Sequence, residues 1–365
     1  MDEVRARMAT ISDPRHASYI KHQLSDILLI IMCGVLSGLD ALGDLALYAN
    51  EKREFFKAAF GIAAIPSKAT FGRILSMLDG KAVGEAILDI LRTRYTNGNI
   101  IAVDGKAICS TGKSGNPHSA LQILSAYLTE SGVVLAQETI HEKSNEIPAF
   151  QQMLTYLDVH GKTVTADAMH CQRRTSEEIV ARKGNYVFGL KENQPSLLAD
   201  VRMYFEDTDA SNSFDTFQTI EKNAGRIEKR ICRKAQDTAW LAAHKWPGLG
   251  SVFAVERIVD ARGMLSKETG YYISSSDASA RELLEAVREH WKIESMHWLL
   301  DVTFSEDESC FLSENAHTTM NALRKFALTA HKNALAAMGK KRSLKANMLA
   351  ALIRPDNLLD LFAFL

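Results

Sequence analysis

One stretch constrains the rest of the chain more than any other: residues 99–110, NIIAVDGKAICS. Residues 100–103 are an unbroken apolar run that stops at Asp104-Gly105. A short apolar run bounded by turn residues reads as a strand covered on both faces. A carboxylate at the end of such a strand stands at the edge of a core, where water and a metal ion can reach it. Asp-Gly is also a common turn pair, so this stretch alone is equally explained by an aspartate that only opens a turn. Two more carboxylates in matching settings, further along the chain, change that balance.

At 365 residues the chain is long enough for two domains and a large core. Its 46% hydrophobic and 24% charged residues are ordinary for a soluble globular protein. The formal net charge of −1 offers nucleic acid no global attraction, so such a partner must be held by local basic patches. Cys33, Cys109, Cys171, Cys232 and Cys310 are odd in number and include no CxxC pair. That pattern fits a reducing cytoplasm and argues against a disulfide framework or a zinc site. The most apolar run, residues 27–36, is too short to span a bilayer and contains Gly34. The N-terminus lacks a signal-peptide pattern. The expectation is a cytoplasmic protein with no membrane partner.

Residues 1–95 read as all-helical. Ser25 is placed to cap a helix running to about Leu36. A second helical piece carries Leu42, Leu45, Leu47 and Tyr48, followed by Lys52, Arg53, Phe55, Phe56 and Lys57. Pro66-Ser67 opens another, with Phe71, Ile74, Leu75 and Leu78 at i, i+3, i+4 and i+7, and Lys68 and Arg73 on its polar side. Short helices with basic outer faces suit a small DNA-binding module. A helical bundle that only packs on the next domain accounts for the same pattern.

After Thr96-Asn97-Gly98 the pattern changes to strands. Residues 119–128 and 133–140 form an expected hairpin around Glu130-Ser131-Gly132. The loop before it, 111–117, has two glycines and a proline and reads as mobile. Asn145 and Pro148 mark a helix start. Residues 162–166 read as a strand ending on Asp167, 175–183 as a helix stopped by Gly184, and 186–190 as a further strand. This order predicts an α/β sheet with mixed strand directions. From about 194 to 275 a short helix (197–205) precedes the alternating segments 217–220, 226–230, 252–259 and 271–274, a mostly β insertion.

Ser276 and Asp277 are placed to cap a long helix from 278 to about 300. On it His290, Glu294, His297 and Asp301 share one narrow face, with Trp291 and Trp298 on one side and Ile293 and Leu300 on the other. A polar stripe between two apolar walls predicts a helix packed on a core with one edge open to a cleft. The bland alternative is a stripe that faces solvent. Residues 318–332 and 348–365 read as helices. Lys340, Lys341, Arg342 and Lys345 form the densest basic cluster, either a solvated turn or a contact to DNA phosphates.

Asp104, Asp167 and Glu294 are thus two strand-end aspartates and a helix glutamate, spaced 63 and 127 residues apart. They can converge at a sheet edge. An all-oxygen cluster suits hard divalent cations, Mg²⁺ or Mn²⁺, and two such ions serve an in-line phosphoryl displacement. Chance competes, because a chain with 44 acidic residues offers many triples.

The wording of the chain narrows the choice. SDPR (12–15), IAVDGKAI (101–108), EKSNEIPA (142–149), TADAMHCQ (165–172), GLKENQPSL (189–197), HWKIESMHWLLDVTFSED (290–307) and NALRKFAL (321–328) cover nearly the whole chain in order. In these stretches the chain resembles the H-repeat-associated transposases, the ISAs-type insertion-sequence family of DDE transposases. The resemblance implies an α/β, RNase H-like mixed sheet with flanking helices, a β-rich insertion at about 194–275 before the last acidic residue, and an all-helical N-terminal domain. The expected domains are 1–95, for DNA binding, and 96–365, for catalysis. Carried over by position, Asp104, Asp167 and Glu294 are the catalytic, metal-binding triad for Mg²⁺ or Mn²⁺. The implied reaction is cleavage at the ends of an insertion sequence and transfer of the 3′-hydroxyl into target DNA. The implied partners are double-stranded DNA, as terminal inverted repeats and target, and a second copy of the chain on that DNA. A hydrolysis-only or catalytically inert DNA-binding relative would keep the same fold.

His290, His297, Asp301, Lys106 and His170 complete the site as supporting residues. Lys52, Arg53, Lys68, Arg73, Lys191, Lys340, Lys341 and Arg342 are the expected DNA-binding residues. Related transposases often carry Tyr, Arg and Lys around the glutamate, where this chain has Val287, His290 and Asp301. Glu192 and Ser295 stand where a small residue and an asparagine are more usual.

Overall fold

The structure, a computed structural model, describes residues 2–95, 97–112, 119–140, 146–207, 214–223, 225–339 and 341–363. The expectations for Asn145, Lys340 and most of the loop 111–117 fall outside the described residues.

The N-terminal part is helical throughout: α1 (Asp2–Ala9), α2 (Leu24–Leu36), α3 (Leu42–Glu51), α4 (Arg53–Phe60), α5 (Lys68–Met77) and α6 (Gly80–Arg92). Capping fixes two of the starts. The Ser67 side chain accepts from the Thr70 N–H, and that of Asp79 from the N–H groups of Lys81 and Ala82. Ser25 does not cap α2. It lies inside the first turn, the N-cap is Gln23, and no side-chain bond is made there. Burial positions this helix instead, since residues 27–36 are all buried.

The middle of the chain supplies β1 (Ile100–Ile108), β2 (Leu121–Leu128), β3 (Val133–Ile140), α7 (Glu146–Leu154), β4 (Thr163–Ala166), α8 (Arg173–Ala181), β5 (Asn185–Leu190) and α9 (Pro195–Glu206). Four longer strands follow: β6 (Asp215–Asn223), β7 (Arg226–Lys234), β8 (Ser251–Ala261) and β9 (Met264–Ser274). All nine lie in one sheet of order β3-β2-β1-β4-β5-β9-β8-β7-β6. β1, β4 and β5 run parallel at its centre, and the remaining neighbours are antiparallel. The mostly β insertion is therefore part of the same sheet. β9 pairs with β5, Val187 opposite Ser274, and the insertion continues the main sheet.

Four helices close the chain: α10 (Ala280–Phe304), α11 (Glu314–Ala337), α12 (Leu344–Ile353) and α13 (Pro355–Ala363). α10 starts two residues later than expected. Ser279 and Glu282 form a full capping box, which outcompetes Ser276 and Asp277. The single terminal helix expected over 348–365 is two, because Pro355 cannot continue the hydrogen-bond ladder but fits a first helical turn.

Strand alternation sorts the core. Ile101 and Val103 face α7, α8 and α9, packing with Phe150, Ile179 and Leu197. Ala102 faces the other way, toward Ile293 and Leu300 of α10 and Phe326 of α11. The N-terminal helices join that second core: Leu28, Phe56, Phe71 and Leu88 share it with Leu323, Met348 and Leu361.

Candidate active site

The register of the central strands decides where the two aspartates emerge. The β1–β4 ladder pairs Ala102 with Thr165 and Val103 with Ala166, and ends there. The next residues are Asp104 and Asp167. Side chains alternate along a strand, so each aspartate shares a face with the residue two before it. Ala102 and Thr165 both face α10, and Asp104 and Asp167 therefore emerge side by side beneath that helix.

β1 does not stop at Asp104, as the Asp-Gly pair suggested. It runs on to Ile108 against β2, with Asp104 opposite Ser125. Only β4 ends, which opens one flank of β1 at the aspartate. Gly105 makes room rather than a turn: a Cβ there would stand 2.7 Å from the carboxyl group of Glu146, which would have to move aside.

α10 brings the third acid. His290 Nδ1 is 3.1 Å from Thr165 Oγ1, and its Nε2 is 3.5 Å from Asp167 Oδ1. His297 Nδ1 is 3.4 Å from Asp104 Oδ2. Glu294 lies between the two histidines, within about one helical turn of each. Burial raises its carboxyl above the usual range, and Asp104 and Asp167 push the same way against the two histidines. The Asp167 carboxyl is held low, chiefly by its hydrogen bond to His290 and also by Lys191. His297 Nε2 is buried and has no hydrogen-bond partner among the described residues.

Asp167, His290, Trp291, Glu294 and Lys191 line a cleft of about 550 Å³ between α10 and the β5–β9 part of the sheet. Of the two apolar walls expected beside the polar stripe, one is core: Ile293 and Leu300 are fully buried. The other is open. Trp291 and Trp298 are each 60% exposed. A helix lying on a sheet buries one flank only, and the cleft takes the other.

The remaining supporting residues lie elsewhere. Asp301 and Lys106 meet each other, Nζ to Oδ1 at 2.8 Å, in an ion cluster with Asp307 and the fully buried Glu306. His170 is buried against the Phe150 ring and lies 3.1 Å from Glu146 Oε2. Sequence reasoning passed over Glu146, Glu306 and Arg324 as site-building residues. The signal was present, since each sits in one of the matching stretches.

Lys68, Arg73, Lys191 and Lys341 are exposed and have no ion-pair partner among the described residues. Lys52 donates to the Ile353 carbonyl and Arg53 to Asn50 Oδ1. Arg342 is half-buried.

No three His, Cys, Asp or Glu side chains among the described residues stand close enough together to hold a metal ion. The donor set is nonetheless the right kind. Three carboxylates supply hard oxygen ligands, and the repulsion from Asp104 and Asp167 that adds to burial in raising Glu294 is what a divalent cation relieves.

Comparison with known proteins adds an independent line. The model described as "Transposase DDE domain" matches residues 96–330, and the one described as "DDE_Tnp_1-associated" matches residues 5–90. The chain belongs to the DDE transposase family. Its relatives place it in the H-repeat-associated branch. It is 33% identical to "Putative transposase YncI" of Escherichia coli O157:H7 over 335 residues, 88% of this chain and 85% of that one. It is 28% identical to "H repeat-associated putative transposase YhhI" of Escherichia coli K12, over 98% of this chain and 99% of that one. A cryo-EM structure of a piggyBac transposase synaptic complex with hairpin DNA overlays the whole chain and 78% of its own length, at a TM-score of 0.46 and 11% identity. So distant a likeness carries no argument. No helix among the described residues of this transposase is long and apolar enough to cross a membrane.

Proposed function

We propose that this transposase cuts DNA at the ends of an insertion sequence and joins the freed 3′-hydroxyl to target DNA, with Asp104, Asp167 and Glu294 as its catalytic, metal-binding triad on an RNase H-like sheet. The observation that carries the reading is the end of the β1–β4 ladder at Val103 and Ala166. Two aspartates leave neighbouring parallel strands together, under a helix whose glutamate is already repelled by both.

The three carboxylates would hold Mg²⁺ or Mn²⁺, whose chemistry is to activate the attacking oxygen and stabilise the leaving one. The chain's own groups supply the rest. His290 and His297 orient Asp167 and Asp104 and, when protonated, moderate the charge that the acids accumulate. The cleft beside Trp291 admits the strand, and Lys191 at its wall attracts phosphate. Lys68, Arg73 and Lys341, with Arg342, Lys52 and Arg53, form the outer contacts to double-stranded terminal repeats. The residues 1–95 act as the DNA-binding domain, the protein works on DNA as a homodimer, and the setting is the cytoplasm.

The test is cleavage of a labelled element end in Mg²⁺, in Mn²⁺ and in chelator, with joined products scored separately. Cutting by the parent that survives chelation would sink the metal assignment. Cutting without joining would reduce the activity to hydrolysis. A Lys68→Ala, Arg73→Ala double variant should bind the element end more weakly, with the salt slope lower by about 2. Unchanged binding would remove the N-terminal helices from the DNA interface.

A further inference from the structure

The stretch NALRKFAL (321–328) takes no part in the acid centre, yet it holds the most deeply buried charges of the molecule. Arg324 and Glu306 are both 0% exposed. Glu306 Oε1 accepts from Asn321 Nδ2 at 2.8 Å and from Arg324 at 3.3 Å. Arg324 also donates to Ser309 Oγ at 2.7 Å and to Asp40 Oδ2, in the turn between α2 and α3, at 2.6 Å. On the far side, Glu306 Oε2 lies 3.3 Å from Lys106 Nζ, which reaches Asp301 at 2.8 Å and Asp307 at 3.1 Å. Charges alternate along the whole path: Asp40, Arg324, Glu306, Lys106, Asp301.

The Lys106–Asp301 end of that path bears on the acid centre. Lys106 is two residues beyond Asp104 on the same face of β1. Asp301 is seven residues beyond Glu294 on nearly the same face of α10, about 10.5 Å along the axis. The chain leaves α10 through Ser305 at φ 49°, a left-handed conformation that residues other than glycine seldom adopt. This reversal is what turns Glu306 back under the helix.

The buried stripe of Ile293 and Leu300 excludes a large rotation of α10, and His290 and His297 hold its middle against Thr165 and Asp104. A small slip of the last turns, beyond His297, would still move Glu294 relative to Asp104. Ion pairs at 2.8–3.3 Å tolerate no such slip. Buried ion networks add little to stability over apolar residues of the same volume, so specification of geometry is the better account of this one. We propose that Lys106 and Arg324 are positioning residues, which pin the last turns of α10 to β1 and so hold Glu294 facing Asp104. The inference rests on the triad proposed above.

The deciding experiment reads the position of the helix directly. Amide hydrogen exchange is followed by mass spectrometry in the parent, Lys106→Met, Lys106→Arg and Asp40→Asn, alongside melting curves and cleavage kinetics. The expected result for Lys106→Met is exchange at least tenfold faster over residues 294–304, with α11 and the N-terminal helices unchanged. Turnover should fall about 10–100-fold at unchanged affinity for the DNA end. Lys106→Arg should restore both. Asp40→Asn removes a carboxylate that is 31% exposed, and should move the same segment in the same direction by less. If Lys106→Met fails to fold, Asp40→Asn decides by the same comparison. Exchange that is unchanged over 294–304, or that rises uniformly in step with melting, would overturn the proposal. A parent that cuts no DNA would defeat the functional reading, while the exchange result would still decide the clamp.

Discussion

The acid centre and the ion cluster are built from the same parts. Both draw carboxylates to the contact between β1 and α10. At the centre, Asp104 and Asp167 have histidines at 3.4 and 3.5 Å, and Glu294 adds a third acid beside an open cleft. In the cluster, Asp40, Asp301, Glu306 and Asp307 close around two full cations, Lys106 and Arg324, at 2.6–3.3 Å. Burial would raise Glu306, yet Arg324 and Lys106 hold it below its usual range, whereas Glu294 is pushed up. The counter-charge separates the two. A carboxylate group given its own cations becomes a strut, and one left short of them is suited to attract an ion from solution.

The largest expected effect is at the unneutralised end. Asp104→Asn or Asp167→Asn should lower cleavage of a labelled element end by about three orders of magnitude or more. Stability should stay within about 0.5 kcal/mol of the parent, because no buried cation loses its partner. A variant that cuts at the parent rate would abolish the contrast. The reverse pattern is expected from Glu306→Ala, which takes from Arg324 its buried carboxylate partner and from Asn321 its acceptor, leaving Asp40 and Ser309 alone to hold the guanidinium. Urea unfolding should show a loss of about 3–5 kcal/mol, and an unchanged midpoint would mean the cluster is no strut.

His297→Ala sharpens the boundary. Activity should fall about 10–100-fold with the melting temperature nearly kept, since His297 touches Asp104 but no buried cation. A protein that melts much lower and also loses DNA binding would move His297 to the structural side. The smallest effect concerns Lys325, buried against Ser125 and Gln137, with its ammonium pushed down to about 7 by burial. Between about pH 7 and the ordinary lysine value of 10.5 the unfolded chain carries a proton that the folded chain lacks. Stability should therefore rise with pH through that window, by at most about 1.4 kcal/mol per unit. Urea unfolding at two pH values should show the slope in the parent and its loss in Lys325→Met.

Legibility in the sequence followed the range of the interactions. The apolar run before Asp104, the run before Asp167 and the 3.6-residue stripe of α10 are local patterns, and each led to the right element. What local pattern could not carry was the identity of the partner. Asp104-Gly105 has turn chemistry, but pairing with β2 keeps it in a strand. Asp301 belongs by periodicity to the stripe of Glu294, and Lys106 draws it into the other cluster. Trp291 and Trp298 have the composition of a core wall and stand in the open, because only one flank of α10 meets the sheet. The sequence shows a mostly β insertion but not where it attaches, since β9 pairs with β5, more than 80 residues earlier in the chain.

The core shared by the N-terminal helices and α11 to α13 also orders events during synthesis. About 220 residues separate the end of α6 from the start of α11. At about 5–20 residues per second, that is roughly 10–45 s in which the first helices exist without their partners. Leu28, Phe56, Phe71 and Leu88 then have one another and the early strand β3 to pack on, and the side of that core which α11 to α13 later cover stays open. The helices made first have their core completed only when the last ones arrive.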